Sequence, residues 1–403
     1  DQFTVRLASL IFGILTVFVF YLLSRKIFRN GKISFISTAL LAVLLGSPLL
    51  EGNIANAENF MLLSILGSAL LVFNLSSLFL AGILLGIAFL FKIVAIFDFA
   101  AFFLFLFLIF LAKKINRKNI LSVIKKEAFF SLGFSLPILV TALFFFLSGA
   151  FSPFFKAAFL ANVDYVDYGN RLIIPQGFLI LKFIALSIFV FTIFTKREKM
   201  SPSSIFILLW FGFSLFNAFF PQRPYTHYLL VLLPSFSLLL GLTIQDLKFR
   251  KIALPIFLIS LFLILINFRF YGKTIFYYQN FLSFVTNGKS VYAYNRFFDR
   301  RTPTDYELAM YIKNNTSEKD SIFIWGNNAQ VYTLAKKLPP GRYAVAYHIT
   351  SSKDGVKETQ EDLDLAKPKL IIIMPYMKFF PFTLSNYSQK IIIDDVAIYE
   401  RVF

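Results

Sequence analysis

The sequence predicts a polytopic α-helical membrane domain followed by a smaller extracytoplasmic α/β domain. Three observations predict it. Long apolar runs recur with few charges inside them, basic residues collect between alternate runs, and the apolar periodicity changes after Phe270. The composition agrees: 58% of the 403 residues are hydrophobic and 55 are Phe, more apolar side chain than a water-soluble core can bury.

Ten apolar segments stand out, at about 3–23, 33–50, 59–74, 77–92, 93–112, 127–148, 176–195, 203–220, 228–245 and 252–270. The fourth and fifth are nearly continuous from Leu78 to Leu111, broken by Lys92 and Asp98. That stretch is too long for one straight span at about 1.5 Å per residue, so it is read as two. Strict alternation of ten spans puts Arg25, Lys26, Arg29 and Lys32 on one side. The same side receives Lys113–Lys126, Lys196–Lys199, Lys248, Arg250 and Lys251. Together these are 16 of the 23 basic residues up to Phe270. The positive-inside rule makes that side cytoplasmic. The loops at 50–58, 149–175 and 221–227, and the tail, then lie outside. The domains expected are 1–272, membrane-embedded, and 273–403, extracytoplasmic.

In the tail, Thr304–Asn315, Ala329–Lys337 and Lys357–Leu365 have helical spacing. Ser321–Trp325, Ala344–His348, Lys369–Met374, Lys390–Asp394 and Val396–Arg401 read as strands. Helices alternating with strands predict a partly parallel sheet.

Charge and cysteine content narrow the function. The net charge of +18 is spread over loops between apolar runs and forms no contiguous basic face, which argues against nucleic acid as a partner. The absence of cysteine excludes disulfides and thiolate metal sites. The first residue is Asp rather than Met, read as a missing or processed N-terminus, and no signal peptide is visible. No Walker loop, Rossmann fingerprint or HExxH motif is present, and Asp164-Tyr-Val-Asp-Tyr168 resembles a metal motif only superficially. No metal ligands are assigned; a divalent cofactor stays open.

Chemistry is expected where polar residues interrupt apolar sequence, in Glu51-Gly-Asn-Ile-Ala-Asn-Ala-Glu58 and Pro221-Gln-Arg-Pro-Tyr-Thr-His-Tyr228. A charge within a span costs about 2.5–3.5 kcal/mol at a helix centre, so each needs a reason. Lys92 is either a lysine snorkelling to the interface or a cation facing an anionic headgroup. Asp98, six residues on, lies on a different helix face. Glu58 is either a carboxylate at a helix N-terminus, favoured by the dipole, or a site residue. Glu51 reads as a solvated loop residue, and Asn56 as a loop-holding residue or a sugar contact. Arg223, whose planar fork suits phosphate, flanks Tyr225 with His227, and Tyr228 follows. An interfacial aromatic belt accounts equally for the tyrosines and Arg223, and a structural hydrogen bond for His227. Arg6, near the outer end of the first span, is a third candidate cation. Phe151–Ala161 is expected to lie along the interface as an amphipathic helix.

The opening Asp1–Phe18 stretch, ending in Tyr21-Leu-Leu-Ser-Arg-Lys26, resembles the second span of GT-C glycosyltransferases related to protein O-mannosyltransferases and aminoarabinose transferases. Asn56–Met61, Gly82–Lys92, Arg223–Leu230 with Pro234, Glu307–Lys313 and Ser321–Gly326 resemble later stretches of that family in the same order. The resemblance implies transfer of a sugar from a polyprenyl-phosphate donor to a lipid, glycan or protein acceptor outside the cytoplasmic membrane. Glu58 matches an acidic active-site position, and Lys92, Arg223 and His227 match donor-side polar positions; with Arg6, Asn56 and Tyr228, singled out above from their own positions, these are the substrate-binding candidates. It further implies that the main catalytic acid precedes Asp1 and that residues 1–403 alone are inactive. A lipid-sugar flippase or other transporter is the alternative. It predicts polar residues along a path through the bilayer rather than at one outer cavity.

Overall fold

The computed structural model describes residues 2–111, 117–160, 179–221, 225–247, 250–268 and 271–402. Arg223, Asp164, Asp167 and Arg171 lie outside them. The chain divides into two compact units, Asp1–Tyr277 and Tyr278–Phe403.

In the first unit each of the ten apolar runs contains helix: α1 (Gln2–Phe28), α2 (Gly31–Leu45), α3 (Ala57–Phe73), α4 (Leu78–Phe91), α5 (Ile96–Leu111), α6 (Arg117–Leu147), then, after the short α7 (Phe151–Phe155), α8 (Leu179–Lys196), α9 (Pro202–Phe219), α10 (Leu233–Gln245) and α11 (Arg250–Phe268). Six stretches are long and apolar enough to cross a membrane: Phe3–Phe28, Ile93–Phe110, Leu121–Leu147, Leu179–Lys199, Pro202–Phe219 and Arg250–Phe268. The other four runs give α2, α3, α4 and α10, with 15, 17, 14 and 13 residues. These fall short of the roughly 20 residues that match a 30 Å hydrocarbon core. Two are shortened by proline chemistry. After α2 the chain turns into a 3-10 segment at Pro48–Leu50, and α10 starts only at Leu233–Pro234, where proline tolerates a first helical turn.

The near-continuous run 78–111 is interrupted where the lysine falls. Lys92 is extended (φ −157°, ψ 127°), and a 3-10 turn at Ile93–Ala95 leads into α5. In α6 the helix starts at Arg117, so Lys125 and Lys126, expected in a loop, ride on a helix instead. The Lys126 ammonium sits 4.0 Å from the Phe110 ring centroid, so cation–π attraction offsets part of its desolvation. The segment expected as an interfacial helix is α7 followed by a π-helical turn at Lys156–Leu160, and Lys156 is exposed.

Two features hold this unit together. Glycines bring α4 and α6 into backbone contact: a Cβ on Gly82 would overlap the Phe130 carbonyl oxygen, one on Gly86 that of Phe134, and one on Gly133 that of Phe79. Gly82 faces Phe130–Phe134 and Gly86 faces Phe134–Pro137, so the two helices run in the same direction. Close approach through small residues is how helices associate where apolar burial no longer discriminates between protein and lipid. Elsewhere, aromatic side chains interlock. Phe206 of α9 packs 4.9 Å from Phe105 and 5.5 Å from Phe102 of α5. Beside them Trp210 Nε1 donates to Asp98 Oδ1 at 2.7 Å. That bond gives the buried Asp98 its reason, and it is not a partner of Lys92.

Residues flanking three of the loops assigned to the basic side by charge pattern meet in one place. Ser203 donates to the Ile27 carbonyl (3.2 Å) and Gln245 to that of Phe28 (3.0 Å). Lys26, Arg29, Phe73, Ser201 and Asp246 share one cavity there.

After α12 (Tyr271–Val285), which crosses the boundary, the second unit contains α13 (Val291–Phe298), α14 (Thr302–Asn315), β1 (Ile322–Trp325), α15 (Ala329–Ala335), α16 (Ala346–Ser351), α17 (Gly355–Ala366), β2 (Leu370–Ile373), β3 (Tyr387–Ile393) and β4 (Val396–Arg401). The sheet order is β1-β2-β4-β3; β1 and β2 are parallel, and the remaining pairs are antiparallel. Alternation divides the strands between two cores. Ile322, Ile324, Leu370 and Ile372 pack with Leu308, Ile312 and Val331, while Phe323, Trp325 and Ile371 pack with Ile349, Leu363 and Phe382. Ala344–His348, expected as a strand, instead enters α16 at Ala346, after an extended Val345. Ala346 and Ile349, three apart, are both buried, and the Tyr347 amide donates to Asn327 Oδ1 (3.0 Å). A helical face and a side-chain anchor at the first turn win over the apparent alternation.

Candidate functional site

The first polar loop is stapled from within. Pro48 starts a 3-10 turn, and Glu51 closes it in the left-handed region (φ 61°). The Asn59 side chain then donates to the carbonyls of Gly52 (3.1 Å), Glu51 (3.3 Å) and Ile54. One amide thus satisfies loop carbonyls that water would otherwise solvate. Ser9 of α1 donates to the Ile54 carbonyl (3.3 Å), tying the loop to the first helix.

This geometry starts α3 with Glu58 in its first turn, where the helix dipole favours a carboxylate. Glu58 is only 3% exposed and pairs with the Lys92 ammonium. Lys92 follows the last turn of α4, where a cation is favoured, and keeps 29% exposure. Its Nζ also lies 4.7 Å from the Tyr228 ring centroid. Asn217 of α9 donates to the Val94 carbonyl (3.3 Å), fixing the break beside Lys92.

The second polar loop arrives through the 3-10 turn Thr226–Leu229. His227 Nδ1 lies 3.1 Å from Glu51 Oε2, and the Thr226 hydroxyl donates to Glu51 Oε1 (3.2 Å). Asn56 donates to Glu51 Oε2 (3.1 Å). Two loops 176 residues apart therefore share one carboxylate.

Of the expected site residues, Asn56, Glu58, Lys92, His227 and Tyr228 are brought together. Arg6 is exposed on α1 and makes no ion pair with them among the described residues; Arg223 lies outside those residues. Asn56 serves the loop-holding role. Glu51 is a correction: read as solvated, it is half-buried and is the hub of the contact between the loops. Thr226 was not singled out at all. Only the carboxylate-rich character of the first loop signalled Glu51, since neither its left-handed backbone nor its distant partner leaves a local mark.

No family model matches the chain, and no curated protein matches it. The site therefore rests on its own geometry. Among the described residues, no group of three or more His, Asp or Glu is placed to hold a metal ion. Beside the ion pair, Phe12, Phe60 and Phe91 form an aromatic row across α1, α3 and α4, with centroids 5.1 and 5.9 Å apart. The arrangement offers one accessible cation, one buried carboxylate and an adjoining apolar wall.

The Glu51 hub carries a pH signature. The His227 hydrogen bond, assisted by those from Asn56 and Thr226, holds its carboxyl below the ordinary 4.5, with partial burial opposing. A carboxyl lowered on folding stabilises the protein fully above its unfolded value and loses that contribution as pH falls through the folded one. The melting temperature should therefore drop more steeply on acidification below about 4.5 in the parent chain than in Glu51→Gln. Parallel melting curves would show that the hub contributes nothing.

Proposed function

We propose that the chain is a membrane glycosyltransferase. It takes a sugar from a polyprenyl-phosphate donor and transfers it to a lipid, glycan or protein acceptor at the extracytoplasmic face of the cell membrane. The supporting observation is the meeting of the 50–58 and 225–228 loops with Lys92 at one end of the helical unit. In this reading the exposed side of Lys92 faces the donor phosphate and the Phe12–Phe60–Phe91 row faces the prenyl chain. The acceptor oxygen bonds to the anomeric carbon while the bond from that carbon to the phosphate oxygen breaks, its electron pair leaving on the phosphate. A fixed cation beside a desolvated leaving group is stabilising because negative charge grows there. Glu58 orients Lys92 and is a carboxylate able to receive the acceptor's proton. A transporter calls for polar side chains strung through the bilayer. Here Asp98 is engaged by Trp210, and the candidate residues Glu51, Glu58, Lys92 and His227 lie in one cluster rather than along a line of helices.

Two readouts test this. The chain in nanodiscs should crosslink a photoreactive polyprenyl-phosphate probe. Sugar release from a polyprenyl-phosphate donor is the second readout. Lys92→Ala is expected to lower sugar release by about 100-fold or more, the scale for losing one group that stabilises transition-state charge. Full activity in both Glu58→Gln and Lys92→Ala would remove the site, and absence of any probe capture would remove the donor class.

A further inference from the structure

The second unit carries a cavity that the reading above does not use. In it β1 and β2 run parallel and end side by side at Trp325 and Ile373. Crevices beyond the carboxyl ends of parallel strands are where open α/β sheets hold ligands, because the strand ends splay and loops diverge there. A cavity of about 380 Å³ lies against Met374 and Pro375, just past the end of β2. Its polar lining includes Arg296, Arg300, Arg301, Thr304, Asp394 and Asp395.

Three guanidiniums share this space, and among the described residues none of them has a carboxylate within salt-bridge distance, although two aspartates line the same cavity. Three positive side chains against two negative ones leave the lining net positive, so the arrangement favours an incoming anion. The surroundings are braced. Asp305, 1% exposed, receives two hydrogen bonds from Asn328 Nδ2 (2.7 and 2.9 Å). Asn328 Oδ1 in turn accepts from the Tyr376 hydroxyl (2.5 Å), and the Arg301 guanidinium stacks 4.8 Å from that ring's centroid. A buried carboxylate thus holds, through Asn328, the hydroxyl of the tyrosine ring beside which Arg301 lies. On the opposite side, Asp394 and Asp395 form the two-residue turn between β3 and β4, both left-handed (φ 47° and 67°), as tight hairpins require. Asp394 already accepts from the Thr304 hydroxyl, whereas Asp395 presents a carboxylate with no hydrogen bond among the described residues.

We propose that this cavity binds a phosphate ester that also carries hydroxyl groups. The arginines would take the phosphate oxygens, whose spacing matches the guanidinium fork, and Asp395 would accept from a hydroxyl. A soluble glycosyl phosphate and a polyol-phosphate lipid headgroup share this chemistry. The inference is independent of the Lys92 site, since every residue it uses lies within Tyr278–Phe403.

The full chain in phosphatidylcholine nanodiscs is titrated with glucose 1-phosphate, and separately mixed with phosphatidylglycerol vesicles. The variant is R296Q/R300Q, two exposed side chains whose loss spares both cores. The control is K319Q/K353Q, which removes the same charge from elsewhere on the unit. Saturable binding of at least one probe is expected, weakened about tenfold or more in the arginine variant and unchanged in the control. Loss confined to glucose 1-phosphate assigns a soluble ligand, and loss confined to the vesicles a lipid headgroup. Failure of both probes to bind, or equal weakening in the lysine control, overturns the proposal. A melting temperature for R296Q/R300Q equal to the parent's ensures that lost binding is not lost folding.

Discussion

Lys92→Ala is expected to destabilise the helical unit by about 3 kcal/mol, because it strands the Glu58 carboxylate, 3% exposed, without its counter-ion. That is the lower end for breaking a buried pair, chosen because Lys92 itself keeps 29% exposure and water reaches part of the site. The loss alone would not separate a structural pair from a functional one. The double variant E58L/K92L does. With both charges gone, the buried carboxylate no longer needs compensation, and stability should return to within about 1 kcal/mol of the parent. If the pair exists only to join α3 to the end of α4, capture of a polyprenyl-phosphate probe returns as well. The proposed role of Lys92 requires capture to stay lost in a protein that melts normally. Thermal unfolding and photocrosslinking on the same preparations decide between them, and recovered capture in E58L/K92L would end the assignment.

Gly82→Leu should be as damaging, by a different route. The new side chain points into the Phe130 carbonyl and the Phe134 amide, backbone atoms that cannot rotate out of the way. Overpacking that only displaces side chains costs about 1–3 kcal/mol, and here α6 itself must move, so about 3 kcal/mol or more is expected. Gly13→Ala on α1 is the contrast. Nothing lies within 4 Å of its Cβ, and the helix gains up to about 1 kcal/mol of propensity. Melting temperatures of the two variants should move in opposite directions or differ widely. A Gly82→Leu protein as stable as the parent would mean that α4 and α6 are not in backbone contact.

Much of the architecture is legible from residues alone, for identifiable reasons. The ten apolar runs all contain helix, and the Lys92 interruption marks the break between α4 and α5, because a charged residue in so apolar a stretch is costly unless the backbone turns there. Span lengths are less legible. Composition does not show that the helix after Ser47 gives way to a 3-10 turn or that α10 waits for Pro234. In the second unit β1, β2 and β4 follow from short β-branched and aromatic runs bounded by turn residues. The Ala344–His348 segment does not, since its alternation fits a strand as well as it fits the buried Ala346 and Ile349 of a helix. At the candidate site, residue types pointed to Asn56, Glu58, Lys92, His227 and Tyr228. The pairings did not follow from them. Glu58 with Lys92 spans 34 residues and Glu51 with His227 spans 176, distances over which only the tertiary fold sets partners.

The glycine seam also constrains traffic around Lys92. Where α4 and α6 touch backbone to backbone there is no width for a hydrocarbon chain, so that flank of α4 is shut. Under the proposed function, a long apolar ligand reaching the ammonium would pass instead beside Phe91, Phe60 and Phe12, whose rings lie edge to face or stacked. Entry from one direction would fix which end of such a ligand arrives first and which way its headgroup faces on arrival.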